Sequence, residues 1–137
     1  MKIAVTAKGE TIDAPVDPRF GRAATFVLFD TETSGVSAVS NDRAMNASKG
    51  AGVQTAEMIS RLGVELVITG HCGPNALRAL ESAGIRVVVG VEGTVREAIN
   101  QYTAGQLQIG AAESEAIRQG LVEAGMLEAA ERRTAVT

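Results

Sequence analysis

Two consecutive strand-helix units in the middle of the chain constrain its fold more than any other feature. The first unit joins the apolar run 65–69 to a helical pattern that begins at Pro74 and ends before Gly84. The second joins the apolar run 85–89 to a helix whose capping box begins at Thr94. Such short units require parallel neighbouring strands with right-handed crossovers. The pattern therefore predicts an α/β domain.

The first 40 residues predict three more strands. Apolar residues alternate from the N-terminus until Lys8-Gly9, which indicates one strand with an apolar face. Residues 25–30 and 36–40 indicate two strands joined by a hairpin at Thr33-Ser34-Gly35. With a helical pattern that starts at Ala51, the prediction is a mixed five-stranded sheet with three helices.

Two irregular segments, residues 10–24 and 41–50, separate these elements. Pro15, Pro18 and Gly21 interrupt any periodicity in the first segment. Loops of roughly a dozen residues are uncommon unless they serve a function. We therefore expect these segments to contribute to a binding site.

Charge, aromatic content and cysteine count restrict the classes of partner and the compartment. The net charge is −3 and aromatic residues make up 3% of the chain, whereas proteins that bind single strands by stacking need exposed rings and a positive groove. No apolar run approaches the ~18 residues of a membrane span, and no secretory signal is visible. The single cysteine cannot form an intramolecular disulfide. We expect a cytoplasmic protein without nucleic-acid or membrane partners.

The only histidine and the only cysteine, His71 and Cys72, are neighbours in the turn after a predicted parallel strand. Ligands of open α/β sheets bind at the carboxyl ends of such strands. A helix N-terminus stabilises a nearby thiolate and lowers the pKa of the thiol. Cys72 is thus a candidate soft-metal ligand, with the Met45 thioether as a second. The alternative is a small buried residue in a tight turn.

A metal site made only by protein side chains is not expected, since zinc needs three or four ligands and the chain offers one thiol and one imidazole. A metal-sulfide cluster brings its own ligands and is usually anionic. Anions bind to helix N-termini and to guanidinium or ammonium groups. The irregular segments and the histidine turn supply such groups, and the candidate binding residues are Arg19, Phe20, Gly21, Arg22, Lys49, Gly50, Ala51, Gly52, His71 and Gly73, with Arg43 as a further cation.

Common enzyme motifs are missing from the sequence. The segment Gly50-Ala51-Gly52 lacks the third glycine of a dinucleotide fingerprint and follows a loop. The sequence contains no Gly-Lys-Ser/Thr phosphate loop and no Gly-x-Ser-x-Gly elbow to accompany His71. We therefore expect a binding protein and not an enzyme.

Several motifs occur in an order that resembles the dinitrogenase iron-molybdenum cofactor biosynthesis family, in particular its small stand-alone, orange-protein-like members. The resemblance extends from Met1 to about Gln108. The motifs are Met1-Lys2-Ile3-Ala4-Val5, Val16-Asp17-Pro18-Arg19-Phe20-Gly21-Arg22-Ala23, Gly50-Ala51-Gly52-Val53-Gln54, Ile68-Thr69-Gly70 with Gly73-Pro74-Asn75-Ala76, and Gly93-Thr94-Val95 with Glu97-Ala98.

The resemblance implies a ribonuclease H-like fold without nuclease carboxylates and a role in binding or carrying a metal-sulfur cluster. That cluster would be a molybdenum-copper sulfide or an iron-sulfur precursor of the molybdenum cofactor. The partners would be metallocluster donor or recipient proteins. The chain departs from the family in two places: many relatives have a histidine in place of Arg19 and an apolar residue in place of Cys72.

Residues 109–137 lie outside the family pattern and are predicted to be a helical C-terminal extension, beyond a domain of residues 1–108. Residues 112–133 are rich in Ala, Glu and Arg, and their apolar residues are Ile117, Leu121, Val122, Met126 and Leu127. The extension could lie on the domain itself, join copies into a homo-oligomer or bind another protein. A protein-interaction module that acts through this extension is the alternative function.

Overall fold

The computed structural model describes residues 1–47 and 49–105, and in this part of the chain five strands form one mixed sheet. The strands are β1 (Lys2–Ala7), β2 (Thr25–Asp30), β3 (Val36–Ser40), β4 (Leu66–Ile68) and β5 (Arg86–Val88), and the helices are α1 (Asp42–Met45), α2 (Ala51–Arg61), α3 (Pro74–Ser82) and α4 (Val95–Thr103). The predicted extension 109–137 and the boundary at residue 108 lie outside the described residues. No helix in the described ranges is long and apolar enough to cross a membrane.

The sheet order is β3-β2-β1-β4-β5, and the strand directions confirm the predicted mixed sheet. Strand β2 pairs antiparallel with both β1 and β3, as expected for a meander closed by a hairpin. Strand β4 pairs parallel with β1 and with β5, as the two strand-helix units require. The α/β fold class inferred from the sequence is therefore confirmed.

The structure corrects the sequence prediction in two details. A fourth helix, the single turn α1, lies in a segment predicted to be irregular. Asn41 at its N-terminus is a residue type common at helix starts, but it makes no side-chain capping bond to α1, and a single turn is too short to show a helical period in the sequence. Strands β4 and β5 are each three residues long and therefore shorter than the apolar runs that predicted them, because the flanking residues already belong to the turns.

The helices cover the two faces of the sheet unequally. Helices α2 and α3 pack on one face, where Ile59 and Leu80 are fully buried against β1, β2, β4 and β5. Helix α4 packs on the other face through Val95 and Ile99, beside residues of the loop after β1. Aliphatic side chains dominate both cores, as the low aromatic content requires.

The loop between β1 and β2 is irregular but is held in place by backbone hydrogen bonds to three other elements. The Asp17 amide donates to the Thr6 carbonyl of β1 at 2.9 Å, and the Val16 amide donates to Gly93 at 2.8 Å. The Phe20 amide donates to the His71 carbonyl at 3.1 Å. These bonds fix the loop beside the turn that follows β4.

Asn41 ties the same loop to helix α2. Its side chain is buried, and the side-chain nitrogen Nδ2 donates to the Ala23 carbonyl at 2.8 Å and to the Gly21 carbonyl at 3.3 Å. The Thr55 hydroxyl of α2 donates to the side-chain oxygen Oδ1 of Asn41 at 3.2 Å. One side chain therefore satisfies buried groups of two separate segments.

We predict that Asn41→Ala lowers the free energy of unfolding by about 1–3 kcal/mol, because it leaves the buried Ala23 carbonyl without its side-chain donor and removes an acceptor of the Thr55 hydroxyl. Urea denaturation measures this change. Asn46→Ala is the matched control, since Asn46 is exposed and bonds only the Asp42 carbonyl within the described residues; its effect should stay below about 0.5 kcal/mol. Equal effects of the two substitutions would contradict the role given to Asn41.

Candidate functional site

A surface cleft of about 420 Å³ lies where the loop after β1, the start of α2 and the start of α3 meet. We call it the α2–α3 cleft. Its lining residues are Arg19, Phe20, Gly21, Arg22, Gly50, Ala51, Gly52, Val53, His71, Gly73, Pro74, Asn75 and Ala76. The cleft therefore joins the three segments in which the sequence predicted binding residues.

Glycines allow these three segments to touch at the level of the backbone. A Cβ atom added to Gly21 would lie 2.8 Å from both the Cα and the nitrogen of Gly52. A Cβ atom added to Gly52 would lie 2.9 Å from the Cβ of Ala76 in α3. Any larger residue at either glycine would push the loop or the two helices apart.

The first turns of two helices, α2 and α3, line the cleft. Helix α2 begins after Gly50 and α3 after Gly73, and neither residue provides a side-chain cap. The first helical bonds are donated by Gln54 and Leu77, so the earlier amides have no acceptor within their helices. Neither first turn contains an acidic residue. These amides and the helix dipoles favour a negatively charged ligand.

Helix α4, which does not line the cleft, is closed at its N-terminus. The Thr94 hydroxyl accepts from the Glu97 amide at 3.1 Å, and the Glu97 carboxylate accepts from the Thr94 amide at 2.8 Å. Glu97 also places a negative charge in the first turn of the helix. Of the three helices longer than one turn, the two with uncapped N-termini are thus the two that meet at the cleft.

Arg19 is held by a buried carboxylate at the rim of the cleft. Asp17 Oδ1 accepts from the Arg19 amide at 2.9 Å and from its Nε at 3.3 Å. The Asp17 side chain is 4% exposed and the Arg19 side chain 62% exposed. The next residue, Phe20, packs edge-to-face on Phe26 with 5.5 Å between the ring centres. The backbone on both sides of Arg19 is therefore anchored in the core.

Arg22 binds backbone as well as facing the cleft. Its Nη1 donates to the carbonyl oxygens of Met45 and Ala47, both at 2.7 Å. The guanidinium thus ties the loop after β1 to the end of α1. Among the described residues that line the cleft there are two arginines and no carboxylate, and the Asp17 carboxylate beside Arg19 offsets part of their positive charge.

The structure brings together most of the candidate binding residues, from Arg19 to Arg22, from Gly50 to Gly52, and at His71 and Gly73. Four other candidates, including Arg43, which is exposed in α1, do not line the cleft. Lys49 is exposed just before it, and Met45 contacts Arg22 through its carbonyl oxygen. Cys72 lies in the apolar core under α2 and α3. Among the described residues, no group of three His, Cys, Asp or Glu side chains could hold a metal ion.

The expected low pKa of Cys72 is wrong. Burial of the thiol raises its pKa to about 11, and the charge of Glu81 acts in the same direction. The N-terminus of α3 starts two residues later, but the Cys72 side chain is buried among apolar residues. The neutral thiol is therefore the stable form, and the role of Cys72 as a metal ligand stays a prediction.

The candidate binding residues inferred from the sequence did not include four residues that line the cleft: Val53, Pro74, Asn75 and Ala76. They follow directly after the predicted glycines in the first turns of α2 and α3, so extending each glycine segment by one helical turn would have found them. It also assigned no role to Asp17, which positions Arg19. In a common type of turn, an aspartate side chain accepts from the backbone amide two residues later. The segment Asp17-Pro18-Arg19 fits this pattern in the sequence.

One family model, two solved structures and one further protein are similar to this chain. Residues 1–105 match the family described as dinitrogenase iron-molybdenum cofactor. The structure resembles the apo form of the orange protein from Desulfovibrio gigas, with 42% identity, a TM-score of 0.77 and coverage of 79% of this chain and 91% of that protein. It also resembles a putative NifB protein from Thermotoga, with 33% identity, a TM-score of 0.69 and coverage of 78% and 90%. An uncharacterized protein of Methanocaldococcus jannaschii is 26% identical over 79% of this chain and 90% of its own length.

We predict that Gly21→Ala lowers the free energy of unfolding by about 1–3 kcal/mol, because the added methyl group meets backbone atoms that cannot rotate away. Gly73→Ala is the matched control in the same cleft. Its added Cβ has no atom within 4 Å, and its φ of −68° suits any residue. Urea denaturation of both variants measures the difference, and equal stability would show that the loop and α2 tolerate separation.

We predict that Cys72 in the folded protein reacts with a thiol reagent at pH 8 at least ~100-fold more slowly than in the unfolded chain, because burial lowers its thiolate fraction and its access. The reaction rate should rise with pH toward the pKa of about 11. Since the folded state holds this proton more tightly than the unfolded chain, stability should fall as the pH rises from 9 to 11. The same protein in urea is the control, and fast reaction of the folded protein at pH 8 would contradict the burial of the thiol.

Proposed function

The chain belongs to the dinitrogenase iron-molybdenum cofactor family, and from this membership we propose that it binds and carries an anionic metal-sulfur cluster in the α2–α3 cleft without catalysing a reaction. The cluster is the cargo of the protein. A molybdenum-copper sulfide or an iron-sulfur precursor of the molybdenum cofactor would both suit the site. The proposed setting is the cytoplasm, and the proposed partners are a donor and a recipient of the cluster.

One observation carries this proposal: two uncapped helix N-termini and two arginines meet at one cleft. A helix N-terminus binds anions because its amides are free and its dipole is positive there. The two N-termini together supply the free backbone amides of Ala51, Gly52 and Val53 in α2 and of Asn75 and Ala76 in α3. Arg19 and Arg22 supply full positive charges beside them.

The residues of the cleft suit a cluster that brings its own sulfide ligands. Amides and guanidinium groups donate hydrogen bonds and do not replace sulfur on a metal. Of the residues that line the cleft, His71 carries the only side chain of a common metal ligand. His71 could complete the coordination of one metal atom, while the amides and arginines hold the sulfides.

The similarity to the orange protein supports the same proposal. The solved structure is that of the apo form, and an apo form implies a group that the protein can hold. That protein is 42% identical to this chain and shares its fold. Because two arginines and a single histidine line the cleft, we propose that binding depends more on charge and less on imidazole coordination.

The exposure of the polar residues supports a carrier role. Arg19, Arg22 and His71 are exposed at the cleft rim, and Pro74 and Asn75 lie beside them at the surface. A cargo held there could reach a partner without opening of the core. We propose that hydrogen bonds and charge hold the cluster firmly but reversibly, so that a recipient with stronger ligands can remove it.

We predict that Arg19→Ala combined with Arg22→Ala weakens the uptake of a tetrathiomolybdate-copper mixture at least about tenfold, because each charge-assisted bond contributes ~1.5–3 kcal/mol. Absorption spectra during anaerobic titration measure the uptake. Arg61→Ala combined with Arg86→Ala is the matched control. It removes the same charge at sites that do not line the cleft, and Arg61 lies in the last turn of α2.

Arg19→Ala alone separates binding from folding. Arg22 also holds the backbone near α1, whereas the Arg19 guanidinium bonds only Asp17 within the described residues. The single variant should lose affinity but less stability than the double variant, because Asp17 still accepts from the backbone amide of residue 19 and Arg22 keeps its bonds to the end of α1. Equal uptake by the cleft variants and the control variants would refute the anion site. A cluster spectrum that changes only in Cys72→Ser would instead place the metal on the thiolate.

A further inference from the structure

In the part of the chain that the structure describes, the sheet has two outer strands, β3 and β5. Native proteins protect an outer strand from pairing with another chain by shortness, by charged side chains, by proline or by a bulge. Strand β5 has three residues and begins with the exposed Arg86. Strand β3 has five residues, of which none is charged and none is proline, and its register with β2 contains no bulge. Strand β3 is therefore suited to pair with a further strand.

Three residues of β3 direct their backbone groups away from the sheet. The Gly35 carbonyl accepts from β2 at 3.0 Å, and the Asn41 amide donates to the residue before β2 at 2.9 Å. Because bonded and non-bonded positions alternate along an antiparallel strand, the two odd-numbered residues between them also bond to β2. The other three residues direct their amides and carbonyls outward: Val36, Ala38 and Ser40. All three are exposed, so this row of donors and acceptors is open to another strand in the described structure.

The sequence of β3 is complementary to itself when two copies of the strand run antiparallel. The register that pairs all five residues is centred on Ala38, which then lies opposite Ala38 of the second copy. In this register Val36 lies opposite Ser40, and Val39 lies opposite Ser37. Each larger side chain meets a small one, and no like charges meet, which would destabilise such a pair. The same register brings the outward backbone groups of both copies into hydrogen-bonded positions.

We propose that two copies of this chain pair antiparallel through β3, about a two-fold axis that passes beside Ala38 and is perpendicular to the sheet. About six backbone hydrogen bonds join the copies, and the two sheets become one continuous sheet. Pairing also covers part of Val36, which is 46% exposed in the single chain. A second copy fits this edge better than an unrelated peptide does, because it supplies a strand of the same length with complementary side-chain sizes, and because a two-fold axis repeats each contact.

The dimer formed in this way is weak and leaves the α2–α3 cleft accessible. A pair of five-residue strands buries less than the ~800 Å² per partner of a standard interface, so we expect a dissociation constant of about 10–100 µM. None of the residues that line the cleft belongs to β3. Strand β3 is also separated by β2 from β1, at whose carboxyl end the cleft lies. Each copy therefore keeps its own cleft open to a ligand.

Sedimentation of the full chain with a charge placed at the two-fold axis tests this proposal. The original chain should be monomeric at about 1 µM and mostly dimeric at about 1 mM. Ala38→Lys and Ala38→Glu should each weaken the dimer at least about fivefold, because two like charges then lie directly opposite each other. A mixture of the two variants should restore it, since opposite charges then meet. Ala83→Lys, at an exposed alanine after α3, is the matched control and should not change the dimer.

Amide hydrogen exchange followed by NMR tests the register. At about 1 mM the amides of Val36, Ala38 and Ser40 should exchange at least about threefold more slowly in the original chain than in Ala38→Lys, whereas the amides of residues 37 and 39 should not change.

Three results would overturn the proposal. A chain that is monomeric at 1 mM does not pair, even if slow exchange of the three outward amides shows that the chain covers its own edge. A dimer that resists Ala38→Lys uses another surface. Failure of the mixed Ala38→Lys and Ala38→Glu variants to pair, while each stays folded by circular dichroism, would exclude contact at the two-fold axis.

Discussion

The close approach of the Gly21 backbone to Gly52, and of Gly52 to the methyl group of Ala76, is the constraint on which the cleft depends. Side chains normally keep a loop and two helices well apart, but here the missing Cβ atoms let them touch. The two helix N-termini therefore open into one cleft and not onto separate surfaces. The burial of Ile59 and Leu80 beneath them stabilises this arrangement. Apolar packing thus fixes the positions of amides that a ligand can use.

Because the backbones lie close together, their carbonyl groups need hydrogen-bond donors from nearby side chains. Different side chains near the cleft supply these donors. Asn41 satisfies the carbonyls of the loop after β1, and Arg22 satisfies those at the end of α1. Arg19 keeps an exposed guanidinium, because Asp17 binds only its Nε among the side-chain nitrogens. The charge offered to a ligand therefore comes mainly from Arg19 and from the helix N-termini, while Arg22 combines charge with support of the loop.

The sequence predicts much of the fold because its signals are local. Apolar runs bounded by glycine and the box at Thr94 indicate the strand-helix units, and the position of turns after parallel strands indicates where the cleft lies. A local sequence pattern does not determine the direction in which a side chain points, and the wrong predictions concern such directions. Cys72 was expected beside the amides of α3, but its thiol points into the core and its pKa rises. Asn41 serves two distant segments instead of capping α1, which no local pattern reveals.

The topology separates the cleft from the end of α4. Strands β1 and β4 are parallel, so the turn at His71 lies at their carboxyl end, whereas Met1 and the end of α4 lie at the amino end of β1. Helix α4 also lies on the face of the sheet opposite α2 and α3. Substitutions in the apolar side of α4 should therefore change the stability of the sheet before they change cluster affinity.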